Sequence, residues 1–362
     1  VKDVRFNMIP PNPPNEGILF VDHSKTGRSG HLGHALIEYE PNKILAFYPN
    51  CSDDNNGHSA VGWMEYKRSE DGGQTWSEPS VLEYSKKMFD EGKGCSVMSE
   101  KAVLTSDGTI VLFNLVCDIT VTALWEPYLT PTYIRSFDGG HTWTDAEVLG
   151  DKRGRIYDAF YQNDTIYALK FLNDATVTWT GNTEKHVYGL YVSTDNGETF
   201  IGRSELPFNT YRRGYGTIGL LNNSTIVAYI YNHDDEQHLD YVISEDNGHT
   251  WSDVQTAYFE KKIRNPQLVC IEDCYFMHGR SGNMGDGSGN FVLYSSEDGI
   301  NWSAGIYLRM QEAGTGSYSN NLVVGTFEPA NRKRLLIQAS HAYEKSQTNV
   351  LHWWLKNIHR HP

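Results

Sequence analysis

Short apolar runs separated by turn residues recur along the whole chain. Near residue 40 two such runs flank Pro41-Asn42-Lys43, and near residue 107 two more flank Ser106-Asp107-Gly108. Runs this short, rich in β-branched and aromatic residues and closed by Gly, Pro, Asn or Asp, predict strands joined by hairpins. A loop, a third strand, a tight turn and a fourth strand complete each module. The pattern lays out modules at residues 32–85, 95–150, 153–206, 210–258, 262–309 and 316–356. The last of these (SNNLVVGTF, RLLIQAS and VLHWWL) supplies only three strands. An N-terminal arm, residues 1–30, with Pro10, Pro11, Pro13 and Pro14 and a short strand near Ile18–Val21, is expected to fill the fourth position. No long amphipathic helix is predicted.

A phrase recurs at the turn between third and fourth strands. It reads SEDGGQTW at Ser69–Trp76, SFDGGHTW at Ser136–Trp143, STDNGETF at Ser193–Phe200, SEDNGHTW at Ser244–Trp251 and SSEDGINW at Ser295–Trp302. The closing aromatics are 67, 57, 51 and 51 residues apart, a period that marks a repeated supersecondary unit. Asp and Ser side chains bond backbone groups two residues on, and Gly supplies positive φ, so these carboxylates are read as turn formers without a catalytic role. In this alignment the fifth copy places Glu297 where the others carry Asp.

The phrase resembles the Asp-box, or BNR repeat, of the sialidase superfamily and related β-propellers. That resemblance spans roughly residues 60 to 305. It implies an all-β fold, a six-bladed β-propeller, with a seven-bladed ring as the alternative. It also implies an arm at 1–30 closing the ring and a single propeller domain at 31–362.

Composition fits that class. Aromatics make up 12% of the 362 residues, and the 33 glycines suit many short strands and sharp turns. A net charge of −14 argues against a nucleic-acid partner, which needs a basic face. No apolar run approaches the roughly 18 residues of a membrane span. Five cysteines are too few for a disulfide scaffold, and Cys270 and Cys274 are either a pair across a hairpin loop or two thiols.

In a propeller the first strand of each blade lines the central channel, so residues entering these strands converge. Here they include His31, His34, Glu100, Arg155, Asp158, Arg213, Tyr215, Arg264 and Tyr318, with Arg280 on a Gly-rich loop and Asp53, Asp54, His58 and Trp63 on or beside a polar one. Several guanidinium groups in an acidic protein suit a planar carboxylate, which they bind through paired donors. The alternative is that these arginines pair with Glu100 and Asp158 to order the channel. His31, His34 and His58 suit proton transfer near neutral pH. No cofactor is expected; a structural Ca²⁺ in NCSDDNN stays open, although that loop lacks EF-hand spacing.

GSYSNNLVV is similar to the sialidase stretch that holds the nucleophilic Tyr, which places Tyr318 in that role. Arg280 matches one of the family's three carboxylate-binding arginines, and Asp53 or Asp54 its acid/base Asp. The chain departs from the pattern elsewhere: Leu32-Gly33-His34 stands where the family has Arg-Ile-Pro, and RRGYGTIGLL holds no Glu to activate the Tyr. A looser resemblance links His34, His58, Tyr318 and the arginines to propeller polysaccharide lyases. Together these imply a secreted or periplasmic glycosidase that cleaves at sialic or uronic acid residues of an oligosaccharide or polysaccharide. The alternatives are a uronate lyase, and a non-catalytic propeller whose aromatic residues (Trp63, Trp125, Trp179 and Tyr215) stack sugars.

Overall fold

The computed structural model describes residues 4–9, 15–30, 32–52, 61–91, 95–118, 128–173, 186–222, 224–281, 291–308, 318–327, 333–340 and 348–360. These form six antiparallel sheets, the blades of a six-bladed β-propeller. The chain divides into two compact units, Leu32–Arg212 and Val1–His31 with Arg213–Pro362.

The first unit holds blades one to three. Blade one runs Ala35–Glu40, Lys43–Cys51, Gly62–Ser69 and Ser80–Val81. Blade two runs Cys95–Leu104, Ile110–Asp118, Thr132–Ser136 and Glu147–Val148. Blade three runs Gly154–Gln162, Thr165–Asn173, His186–Ser193 and Ile201–Glu205. The second strands are buried over most of their length because both faces are covered.

The second unit holds blade four (Arg213–Leu220, Ile226–Asn232, His238–Ser244, Gln255–Tyr258) and blade five (Arg264–Ile271, Cys274–Arg280, Phe291–Ser296, Ile306–Leu308). Blade six has Ser319–Val324, Arg334–Ser340 and Val350–His359. The N-terminal strands Arg5–Met8 and Ile18–Val21 both pair antiparallel with Val350–His359, one beyond the other along its length. Their pairing covers an edge that would otherwise present open backbone donors and acceptors.

The repeated turns carry the hydrogen bonds their composition predicts. In the first, Ser69 Oγ donates to Asp71 Oδ1 at 2.8 Å and accepts the Gly73 N–H at 2.8 Å. The Asp71 carboxylate accepts the N–H groups of Gln74 and Thr75 and the Thr75 hydroxyl. The fifth copy corrects the alignment given above. Its working pair is Ser296 and Asp298, not Ser295 and Glu297, and Asp298 accepts from Ile300 and Asn301. The turn is one residue shorter, so Asn301 Nδ2 takes the place of the threonine hydroxyl on Asp298 Oδ2.

Two further details add to the strand pattern. A short helix, Glu83–Asp90, stands where only strands and loops were expected. Ser85, buried within it, donates to Leu82 O and accepts the Met64 N–H at 2.8 Å each, which ties the helix to blade one. Cys270 and Cys274 are both thiols, not a disulfide.

Candidate functional site

Entry into a blade is repeatedly marked by a β-bulge in the first strand. The register slips at Ser99/Lys101, Ile156/Asp158, Gly214/Gly216 and Arg264/Gln267. A bulge adds one unpaired residue and re-aims its side chain. The extra residues are Glu100, Tyr157, Tyr215 and the Asn265-Pro266 pair, and Tyr215 and Asn265 adopt positive φ of 45° and 53°.

In the unit with blades four to six, these devices build a cluster of cations and phenols. Arg264 and Arg280 are directly opposed across the first two strands of blade five, and both are buried. The Arg264 guanidinium lies 5.6 Å from the Tyr215 ring centre and 5.1 Å from that of Tyr231. Tyr215 and Tyr318 meet edge to face at 6.3 Å, with their hydroxyls 3.5 Å apart. Burial works against the charge on Arg264 while the phenols of Tyr215, Tyr231 and Tyr318 favour it, and the net direction is upward.

Tyr231 escaped the sequence reading because it lies on a second strand, in a run that looks purely structural. Its hydroxyl donates to Glu236 Oε1 at 2.7 Å and stands 3.2 Å from His233 Nδ1. Burial pushes the Tyr231 phenol well above the usual phenol range, with Arg264 opposing and Glu236 reinforcing. It therefore remains a proton donor to Glu236. The Glu236 carbonyl also accepts the Ile263 N–H at 2.8 Å, which anchors the loop to the entry of the strand bearing Arg264.

Other candidates are engaged with protein partners. Arg213 Nε donates to Asp240 Oδ2 at 2.7 Å and approaches Asp234 at 3.9 Å. In the unit with blades one to three, Arg155 makes a two-point ion pair with Glu100, with Nε donating to Oε2 at 3.2 Å. Its remaining nitrogen donates to the Tyr128 hydroxyl at 3.2 Å, and the guanidinium lies 5.0 Å from the Tyr157 ring centre. Burial pushes the Glu100 carboxyl up, and Arg155 pulls it back only in part. Asp158 pairs with Lys101 at 3.0 Å. The Arg155–Glu100 pair is of the kind the channel-ordering alternative named, whereas Arg213 pairs with Asp240 and Asp158 with Lys101.

His34 is buried in this unit, just after Gly33 at φ 47°. Trp63 packs 5.1 Å from Phe89, with Lys86 Nζ 5.1 Å from its ring centre, and its N–H donates to Glu65. The short helix thus covers part of a ring read as a sugar platform. His31, Asp53, Asp54, His58, Trp125 and Trp179 lie outside the described residues, as does most of the loop considered for Ca²⁺. Among the described residues, no group of three or more His, Cys, Asp or Glu side chains is arranged to hold a metal. No helix among them is long and apolar enough to cross a membrane.

No protein-family model and no curated protein matches the sequence. Solved structures do match. A Dyadobacter fermentans protein of unknown function aligns with a TM-score of 0.69 at 14% identity, over 98% of this chain and 100% of its own. NanB sialidase from Streptococcus pneumoniae aligns at 0.66 and 12% identity, over 96% of this chain and 71% of its own. An α-L-arabinanase from Penicillium chrysogenum aligns at 0.58 and 15% identity, over 97% of both chains. Identities this low establish architecture alone, and by its architecture the chain is a sialidase-like six-bladed β-propeller.

Proposed function

We propose that the protein is a glycoside hydrolase of sialidase type that cleaves next to an acidic sugar of an oligosaccharide or polysaccharide. The observation that carries this reading is the opposed, buried pair Arg264 and Arg280 beside three tyrosines. Two buried guanidinium groups at paired positions offer a ligand carboxylate charge-assisted hydrogen bonds in a low-dielectric setting. The likeness to NanB sialidase and an arabinanase supports glycan chemistry on this fold. A secreted or periplasmic location belongs to the same reading.

In this mechanism the arginines fix the sugar carboxylate, and Tyr318 Oη attacks the anomeric carbon as its hydroxyl proton passes to water. The glycosidic C–O bond breaks as a general acid protonates the leaving oxygen, and water then releases the sugar from Tyr318. A phenol needs help to act as a nucleophile near neutral pH. The nearby guanidinium stabilises negative charge as it develops on the phenol oxygen.

One observation favours a second reading. The Tyr318 hydroxyl faces the hydroxyl of Tyr215 beside Arg264, an arrangement suited to moving protons between phenols. In a uronate lyase the clamp would acidify C5, and one phenol, as phenolate, would take its proton. The C4–O bond would then break, with a second group protonating the leaving oxygen.

The test is incubation with sialylated and uronate-containing glycans. Free sialic acid, or new reducing ends without unsaturation, supports the hydrolase; ultraviolet absorbance from an unsaturated uronate supports the lyase. Binding without any product would reduce the protein to a sugar-binding propeller. Cleavage confined to neutral glycans would sink the acidic-sugar assignment.

A further inference from the structure

We infer that His278 is a positioning residue for this site, locking the strand that follows Tyr318 to the strand that carries Arg280 as a neutral Nδ1–H imidazole. Its activity readout rests on the acidic-glycan reading, whereas its hydrogen bonding does not.

His278 is completely buried on the second strand of blade five, two residues before Arg280, so the two side chains share a face. Its Nδ1 lies 3.0 Å from Ser319 Oγ, and its Nε2 lies 2.8 Å from the side-chain amide nitrogen of Asn321. Ser319 and Asn321 are likewise two apart, on the first strand of blade six. An amide NH₂ only donates, so Nε2 must accept and carries no proton. The proton therefore sits on Nδ1 and is donated to Ser319. One imidazole thus ties together two alternate residues of the strand that begins immediately after Tyr318.

The other side of Tyr318 is fixed as well. Its N–H donates to Ser340 Oγ at 2.9 Å, and its carbonyl accepts the Ser340 N–H at 3.0 Å. Blade six's own second strand holds the Tyr318 backbone, and His278 sets the distance from that segment to blade five. The Phe291 ring, 5.6 Å away, forms part of the wall around the imidazole. An apolar side chain of similar size would leave Ser319 and Asn321 facing that wall without their imidazole partner. Small misplacements of this kind are costly when a nucleophile and a clamp must engage one sugar.

The experiment compares His278→Leu, which removes both bonds, with His278→Asn, whose Nδ2 can still donate to Ser319. On an acidic glycan that the wild type turns over, the Leu variant is expected to lose about 100-fold in kcat while keeping its near-ultraviolet circular dichroism. The Asn variant should recover to within about tenfold of wild type. Crystal structures of both variants should show the Tyr318–Arg280 separation changed by Leu and kept by Asn, whatever the substrate. Should the Leu variant not fold, His278→Gln serves instead, keeping a partner for Asn321 but none for Ser319. Nitrogen-15 NMR of wild-type histidines should report the Nδ1–H tautomer. A folded Leu or Gln variant with unchanged Tyr318 placement and kcat would overturn the inference, as would an Nε2–H signal. A wild type that turns over no acidic glycan would count against the proposed function alone, leaving the crystal structures and NMR to decide on His278.

Discussion

Arg264 and Arg280 occupy paired positions on neighbouring strands, and the rings of Tyr215 and Tyr231 flank Arg264. Removing one arm of a buried charge-assisted contact leaves the other charge unsatisfied. Arg280→Ala is therefore expected to cost about 2–5 kcal/mol in kcat/KM on an acidic glycan. The same change should cost far less on a substrate whose carboxylate has been reduced to an alcohol. Equal losses on both substrates would make Arg280 a structural residue. Tyr318→Phe removes only the hydroxyl, and single loss of an acid, base or nucleophile lowers rate by about 100-fold or more. Steady-state turnover by a folded Tyr318→Phe protein at the wild-type rate would move the chemistry to other residues.

At the scale of single elements, first-strand bulges and repeated turns divide the labour. Bulges send Glu100, Tyr157 and Tyr215 out of the regular pleat, whereas the turns join strands through their own Ser and Asp hydrogen bonds. In the second repeat, Asp138 accepts the N–H groups of His141 and Thr142 together with the Thr142 hydroxyl. Asp138→Ala should lower stability by about 1 kcal/mol, because the lost bonds involve a charged acceptor but an exposed one. Denaturant melts would show this with kcat/KM unchanged, and a loss of activity in the folded variant would contradict the turn assignment. Gly33 illustrates a position with no room for a Cβ. It sits at φ 47°, and a Cβ there would lie 2.6 Å from the Ser99 carbonyl oxygen. Gly33→Ala should cost about 1–3 kcal/mol from the left-handed backbone, with the contact adding to it. A wild-type melting temperature for this variant would refute that conformation.

For the molecule as a whole, acid stability follows from groups with depressed pKa values in the folded state. Burial alone lowers His186 from its ordinary 6.5 to about 4. The Thr75 hydrogen bonds lower Asp71 from 3.8 to about 2. Both shifts are downward, so each contribution is fully present above the unfolded value and is lost as pH falls through the folded one. Melting temperature should therefore hold above pH 6.5, decline toward about 4 as His186 takes up a proton, and decline again toward about 2 as Asp71 does. His186 packs edge-on against Phe171 at 4.6 Å, so His186→Leu should remove the first decline and leave the second. An unchanged pH profile in that variant would show that His186 does not control acid sensitivity.

The order of strands was legible because it is written in local chemistry. Apolar runs, Asn- and Gly-containing turns and five spaced Ser-x-Asp phrases predicted six modules whose limits agree with the sheets to within a few residues. The shortened fifth turn was misread because Glu297 and Asp298 are adjacent, and only the hydrogen bonds show which carboxylate works. The site was legible only in part. Arg264, Arg280, Tyr215 and Tyr318 stand at strand ends where the pattern directed attention, but sequence does not say which arginine meets a carboxylate of its own. Folding paired Arg155 with Glu100 and Arg213 with Asp240, which the sequence did not specify, and it packed Arg264 against tyrosine rings. Tyr231, Glu236 and His278 acquire their importance only through partners brought to them by the sheets, since hydrogen-bond geometry depends on spatial neighbours. Local propensity determined the elements, and tertiary packing determined which charges were neutralised within the protein.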